Sequence, residues 1–319
     1  MITIDGQMKR DMKSLIGPYL ALAVLLIACC ISDEHFRSTQ NLLNITRQVS
    51  YSGFIALGMT FVIAAGGIDL SVGSILAMSG VLSIMGMNLL PPGMEAVGVL
   101  AALGICIAAG TAAGAVTGLL VSLGKIPPFI ATLGTLSIFR SLALYFADAG
   151  MVSSRNSIYR EIGSMVICRI PLPTLVLIFL TILFAVLLRN SRFGRHVCAV
   201  GSNEKVAFYS AIPTGRVKFY TYMLIGFTAG ISSFLFGTRL NSISSTTAGA
   251  SYELDAIAAV IIGGSSMSGG KASIAGTFAG ILILGIVSNV LSMWGISINL
   301  QGLVKGLVIL VEVLIKRVR

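Results

Sequence analysis

Between Glu95 and Lys125 the chain carries no charged side chain, and a second uncharged stretch runs from Ala272 to Val304. A helix rises about 1.5 Å per residue, and about 20 apolar residues cross the hydrocarbon core of a bilayer. Runs this long exceed the helices of ordinary soluble cores, and further apolar runs follow one another between short polar breaks. Of the 319 residues, 55% are hydrophobic and 11% charged, where a soluble domain carries about 25% charged residues. The fold is therefore predicted to be all-α and embedded in lipid, where a helix satisfies its own backbone.

Charges and turn residues divide the chain into about ten spans of helical length. They are predicted at 14–32, 48–65, 70–90, between 95 and 125, at 126–146, 170–188, 219–238 and 256–262, and as two spans in 272–316 divided near 294–299. Basic residues precede the first span, but Cys29-Cys30-Ile31 is a poor cleavage site, so it reads as a retained helix. The polar connection 148–169 has room for a short helix, and 239–252, rich in Ser and Thr, reads as an outer loop. Residues 1–319 thus form a single transmembrane domain. Five cysteines without a C-x-x-C pair imply no disulfide framework.

The net charge of +10 has to be read by its distribution. Lys9, Arg10, Lys13, Lys125, Arg189, Arg192, Arg195, Lys205, Arg216, Lys218, Lys271, Lys316, Arg317 and Arg319 fall on one side of the predicted topology, and six basic residues fall opposite. The positive-inside rule then places both termini and the basic loop 189–218 in the cytoplasm. That distribution speaks for contact with lipid and against a nucleic-acid partner. Gly110, Gly114 and Gly118 repeat every four residues, on one helix face where a second backbone can approach.

Gly66-Gly67-Ile68-Asp69-Leu70-Ser71-Val72-Gly73 and Gly263-Gly264-Ser265-Ser266-Met267-Ser268-Gly269-Gly270 both spell G-G-x-x-x-S-x-G. In the predicted topology each is reached by an inward-going helix and left by an outward-going one, which makes them related, glycine-broken hairpins of two halves. Repeated breaks of this kind point to a transport pathway, with Gly66, Gly67, Asp69, Ser71, Gly263, Gly264 and Ser268 as candidate pathway residues. The alternative is a pair of tight turns in which Asp69, Ser71 or Ser268 serves as N-cap. Asp69, Arg140 and Lys305 are the charges nearest membrane depth; capping or snorkelling to the interface competes with substrate contact for each. Glu253 and Asp255 are expected to open the 256–262 helix from outside, where its dipole favours acids.

The string Ala56-Leu57-Gly58-Met59-Thr60-Phe61-Val62-Ile63, followed by Gly66 to Ser74, resembles the signature of ribose-type ABC permeases. Ordered matches continue through Phe129-Ile130-Ala131-Thr132-Leu133, Tyr252 to Val260, and Gly263-Gly264 with Gly269-Gly270-Lys271 and Gly276-Thr277. The resemblance implies a bacterial inner-membrane subunit that pairs with a second permease copy or homologue. It also implies delivery of sugar by a periplasmic binding protein and drive from a separate cytoplasmic ABC ATPase. Ser265 to Ala272 departs from a phosphate loop at both ends, so this chain is not expected to hydrolyse ATP. Family permeases present a cytoplasmic coupling helix beginning Glu-Ala-Ala; here the matching region keeps Glu204 but continues Lys205-Val206-Ala207-Phe208-Tyr209-Ser210-Ala211. Glu204, Ala207, Phe208, Tyr209 and Ala211 are the expected ATPase-coupling residues, with Ser202 or Asn203 as the cap.

His35 and His196 lie in loops on opposite sides, so neither a metal site, a cofactor nor a catalytic group is expected. A branched-chain amino acid ABC permease and an ion-coupled secondary transporter are the rival readings.

Overall fold

The computed structural model describes residues 4–297, 300–304 and 306–307, with side chains from Ile16 onward. Lys305, Lys316, Arg317 and Arg319, with most of the predicted last span, lie outside the described residues, and Lys9, Arg10 and Lys13 are described as backbone only. The chain begins with α1 (Ile4–Ser32), α2 (Thr39–Ala64), α3 (Val72–Asn88), α4 (Glu95–Ser122) and α5 (Pro128–Phe146). A connection follows with β1 (Met151–Ser153), α6 (Ser157–Ser164), β2 (Val166–Ile167) and β3 (Ile170–Pro171). Then come α7 (Leu172–Asn190), two short helices, α8 (Arg192–Ser202) and α9 (Glu204–Tyr209), and α10 (Thr214–Leu240). β4 (Ser242–Ser244), α11 (Tyr252–Ile262) and α12 (Ile274–Met293) complete the described elements.

Five helices, α4, α5, α7, α10 and α12, are each long and apolar enough to cross a membrane, and 16–32 and 72–88 are shorter apolar helical segments. Burial separates the helices into a centre and a rim. From Gly53 to Ala65 every residue of the α2 segment is buried, as a helix apolar all round must be when neighbours surround it. In contrast α4, α5 and α7 bury a third or less of their most apolar window. Their remaining face carries large apolar side chains such as Leu100, Ile138 and Phe179 outward, as lipid contact requires. Two polar contacts tie α2 to α12 within this apolar surround. Asn41 and Asn289 exchange side-chain hydrogen bonds at 3.1 and 2.8 Å, and the Thr60 and Thr277 hydroxyls meet at 2.9 Å.

The four-residue glycine repeat of α4 does what its spacing predicts. Gly110 lies against Gly226 and Gly230 of α10, Gly114 against Tyr222 and Gly226, and Gly118 against Phe219 and Tyr222. A Cβ at Gly226 would stand 2.8 Å from the Gly114 Cα and closer still to the Gly110 carbonyl. The two backbones are therefore in direct contact, which recovers dispersion energy where no hydrophobic force distinguishes helix from lipid.

One expected connection is placed differently. The stretch 239–252, read from sequence as an outer loop, folds back among the helices. β4 pairs antiparallel with β1, whose Ser153 carbonyl accepts from Asn88 at the far end of α3 at 2.9 Å, and Ile243 of β4 lies against Gly80 in the middle of α3. By Gly249 the chain has reached Gly73, in the first turn of α3, so closely that their backbones touch. From Gly80 to Gly73 it has run back along the first half of α3, and α11 starts there. Eleven residues of helix rise about 16 Å, half of a bilayer core. α11 is thus a half-helix whose acidic first turn, with Glu253 and Asp255, begins at depth.

Replacing Gly226 by Leu is expected to lower the thermal midpoint of the detergent-purified protein by the equivalent of about 1–3 kcal/mol or more. Gly104→Leu, where nothing lies within 4 Å of the added carbon, should leave that midpoint unchanged.

Candidate functional site

The two glycine breaks close their helices with the same geometry. At the end of α2 the Gly66 N–H donates to the Ile63 carbonyl and the Gly67 N–H to the Val62 carbonyl, both at 2.9 Å. At the end of α11 the Gly264 N–H donates to Ile261 at 2.8 Å and the Ser265 N–H to Val260 at 3.2 Å. Gly66 and Gly264 have φ of 82° and 87°, the left-handed conformation that this paired arrangement requires and that glycine adopts without a Cβ penalty. The cap glycine is the first of its pair in one half and the second in the other, so the repeated letters are offset by one residue in space.

Beyond the caps the halves diverge. After Gly66 the chain enters α3 within the motif itself. The Asp69 Oδ1 accepts from the Ser71 N–H at 2.8 Å and the Ser71 hydroxyl at 2.6 Å, a local turn that satisfies the N–H of the residue just before the helix. Ser71 occupies the N-cap position of α3 without a side-chain cap bond. The Tyr222 hydroxyl closes the turn by donating to the Ile68 carbonyl at 3.1 Å. Asp69 and Ser71 are fully buried, and the Asp69 Oδ2 has no hydrogen-bond partner. After Gly264, by contrast, a turn runs through Ser266 and Lys271, Gly269 and Gly270 take φ of 82° and 80°, and Ser273, rather than Ser268, caps α12 through the Gly276 N–H. Ser268 is exposed.

The breaks meet each other at one end of the molecule. The Gly270 N–H donates to the Ala64 carbonyl, the last of α2, at 2.9 Å. Gly201, in the last turn of α8, fits into the same junction: a Cβ there would stand 2.7 Å from the Gly270 nitrogen and would collide with the Ala64 carbonyl. A Cβ at Gly269 would in turn lie 2.7 Å from the Gly201 carbonyl oxygen. Three backbones, from α2, α8 and the loop after α11, are in contact with no side chain between them.

Two residues after Gly201, Asn203 caps α9 by accepting from the Val206 N–H at 3.1 Å, which settles the choice between Ser202 and Asn203. Within α9 the expected coupling residues divide by role. Glu204 is ion-paired with Lys218 of α10 at 2.6 Å and Ala207 is buried, so both fasten the helix to the body. Phe208 and Tyr209 are 66% and 86% exposed and stand edge to face with centroids 6.0 Å apart. Ala211, with φ of 60°, is exposed in the turn that follows.

Sequence reasoning missed the surroundings of α11. Arg140, in the middle of α5, does not snorkel: its Nη1 donates to the Ser245 carbonyl at 2.8 Å and its Nη2 to the Ala248 carbonyl at 3.0 Å. The available signal was the eleven-residue length of α11, too short to span, preceded by a chargeless Ser/Thr/Gly stretch that could re-enter.

The profile of the family described as branched-chain amino acid transport system / permease component matches residues 41–313. The chain is 42% identical to the ribose import permease protein of Bacillus subtilis, over 99% of this chain and 95% of that one. It is 37% identical to the ribose import permease protein of Escherichia coli K12, over 96% and 93%. It is 33% identical to the L-arabinose transport system permease protein of the same organism, over 94% and 90%. No solved structure matches the chain.

Removing the Asp69 carboxylate as Asp69→Ala leaves the buried Ser71 N–H and hydroxyl without their acceptor. A loss of about 1–3 kcal/mol is expected, read as a lower thermal midpoint, whereas Asp69→Asn keeps an acceptor oxygen and should lose less.

Proposed function

We infer the function from one premise: this chain belongs to the branched-chain amino acid transport system permease-component family, in its ribose-type ABC branch. It is the membrane-spanning permease subunit of an ABC importer that carries a monosaccharide, and ATP is hydrolysed by a separate chain. The sugar-transport relatives, ribose and arabinose permeases along more than nine-tenths of the chain, favour that cargo over a branched-chain amino acid. The setting we propose is the bacterial inner membrane, with both termini and the α8–α9 loop in the cytoplasm. The partners are a periplasmic sugar-binding protein, a second permease subunit and a cytoplasmic ABC ATPase.

The observation that carries the mechanism is the glycine junction. In this reading Phe208 and Tyr209 seat in the ATPase, since exposed paired aromatics make strong anchors once a partner desolvates them. Movement of α9 reaches Gly201 through two residues. There it meets Ala64 and Gly270 backbone to backbone, so a shift of α8 cannot be absorbed by side-chain rotation. It displaces the ends of α2 and of the α11–α12 connection together, and with them the break that holds Asp69. Alternating access follows when two such subunits rock against each other. Gly66, Gly264 and Ser268, exposed at the two breaks, belong to the moving lining of the pathway, and Gly67, Asp69, Ser71 and Gly263, buried behind them, move with it, Asp69 and Ser71 holding the shape of the first break.

Reconstituted with its ATPase and binding protein, the chain should take up labelled ribose only when ATP is supplied, and an uncoupler should leave that uptake unchanged. Uncoupler-sensitive uptake without ATP would overturn the reading. Phe208→Ala with Tyr209→Ala should weaken ATPase association by at least tenfold in pull-down titration while leaving the thermal midpoint in place. Asp69→Asn, expected to fold, should reduce uptake, and full retained uptake would remove Asp69 from the pathway.

A further inference from the structure

α1 and α12 run side by side, and their contact is pinned at two levels. At the start of α12 the Tyr19 hydroxyl of α1 donates to the Ala275 carbonyl at 3.2 Å. Near the other end Asn41 of α2 donates to the Phe36 carbonyl, in the turn after α1, at 3.2 Å and to Asn289 of α12 at 3.1 Å. Between and beyond these pins the helices do not close on each other. A cleft of about 280 Å³ remains, with Ala28 and Cys29 of α1 and Val287 and Leu291 of α12 on its apolar walls. Ser32, Asp33 and Trp294 line it at the ends of the two helices.

Pinned walls cannot collapse, and an apolar void between membrane helices forfeits the dispersion contacts that hold such helices together. The filling therefore comes from outside these walls. Ala28, Ser32 and Trp294 are exposed, so the cleft opens sideways between the helices. The same side of α1 carries Val24, Ile27 and Ile31 outward, as a helix in contact with lipid does. An acyl chain can thus enter from the bilayer without crossing a polar surface.

The polar end of the cleft selects among lipids. Trp294 is 65% exposed, an amphipathic ring of the kind that settles at the membrane–water boundary. Among the described residues that line the cleft, Asp33 is the only one that carries a charge. Its Oδ1 accepts from the His35 N–H at 2.7 Å, and its second oxygen is left for a donor from outside. The neighbouring Glu34 and Arg37 pair with each other at 3.6 Å, so the Asp33 charge is not the one Arg37 answers. A carboxylate in that place repels an anionic headgroup and attracts a cationic one. The N–H groups of a primary ammonium can also hydrogen-bond to it, a charge-assisted bond that a quaternary ammonium cannot make.

We propose that the α1–α12 cleft binds one zwitterionic phospholipid with a primary-amine headgroup, its acyl chain between Cys29 and Leu291 and its ammonium on Asp33. The lipid completes the helix contact that the pinned walls leave open. This goes beyond the permease reading and requires only that the chain lie in a bilayer.

The test takes the full chain in mild detergent, offers it equal amounts of phosphatidylethanolamine and phosphatidylglycerol with the same acyl chains, and weighs the complexes by native mass spectrometry. One phosphatidylethanolamine should be retained at least fivefold over phosphatidylglycerol. Asp33→Asn should bring that ratio within twofold, and Ala28→Phe, which fills the cleft, should abolish retention of either lipid. Equal retention by the unaltered chain, as non-selective filling by any amphiphile would give, overturns the proposal, and so does a preference that survives Asp33→Asn. Where Ala28→Phe does not accumulate, Cys29 reports on the cleft in a chain carrying Cys30→Ala, Cys106→Ala, Cys168→Ala and Cys198→Ala. In phosphatidylcholine vesicles enriched in phosphatidylethanolamine, its alkylation by N-ethylmaleimide should be at least threefold slower than in vesicles enriched in phosphatidylglycerol, and Asp33→Asn should erase the difference. Equal rates in the two kinds of vesicle, as filling by the chain's own remaining residues would give, overturn it as well.

Discussion

An unpaired amide in hydrocarbon costs several kcal/mol, and this constraint governs every place where a helix of this protein stops at depth. The chain meets it in three ways. The ends of α2 and α11 turn on a left-handed glycine, so that the last carbonyls are recovered by the N–H groups that follow. The start of α3 is supplied by Asp69, whose carboxylate oxygen takes the Ser71 donors. The descending stretch before α11 has neither helix nor full strand to close it, and Arg140 of α5 together with Gly150, in the turn that follows α5, supplies the missing partners. Each solution places a glycine, a carboxylate or a guanidinium where an apolar residue would otherwise stand.

A second constraint, close packing of backbones, brings glycine against glycine. Side chains between two helices act as a compliant layer, because rotamers can change at a cost near 1 kcal/mol. Backbones in contact leave no such layer. The α4–α10 contact, through Gly110, Gly114, Gly226 and Gly230, makes a rigid pair of the two helices. The junction of Gly201 with Ala64 and Gly270 links the ends of α2 and of the α11–α12 connection to the α8–α9 loop. Glu204, paired with Lys218 at 2.6 Å, fixes the base of α9 to α10, leaving the exposed aromatics at its end to meet a partner. Rigid attachment behind and open aromatic surface ahead are what a part that transmits a push requires.

Much of this was legible in the sequence because it depends on local period and composition. Uncharged runs gave the membrane class, the spacing of Gly110, Gly114 and Gly118 gave a contact face, and Ser202 or Asn203 before Glu204 gave a capped helix. What stayed hidden depends on distant residues. Whether 239–252 lies on the surface or descends is decided by Arg140, a hundred residues earlier, and by Gly73, whose lack of a side chain leaves room for Gly249. The one-residue offset between the two G-G pairs is likewise invisible in the letters, since either glycine of a pair can take the left-handed position. Glu204 matched a family motif and so read as a partner contact; Lys218, fourteen residues on, shows that its nearest charge is its own.

The distribution of charge at depth also bears on what drives the protein. An ion-coupled carrier needs a carboxylate that exchanges its ion with one compartment and then the other. Asp69 is sealed at zero exposure, with one oxygen held inside its own turn and the Tyr222 hydroxyl closing that turn at Ile68. Arg140 is committed to two carbonyls. The remaining acidic charge near them, Glu253 and Asp255, is half-buried in the first turn of α11, where the helix dipole favours it. The drive comes instead from a separate ATPase chain, as the family to which this chain belongs requires.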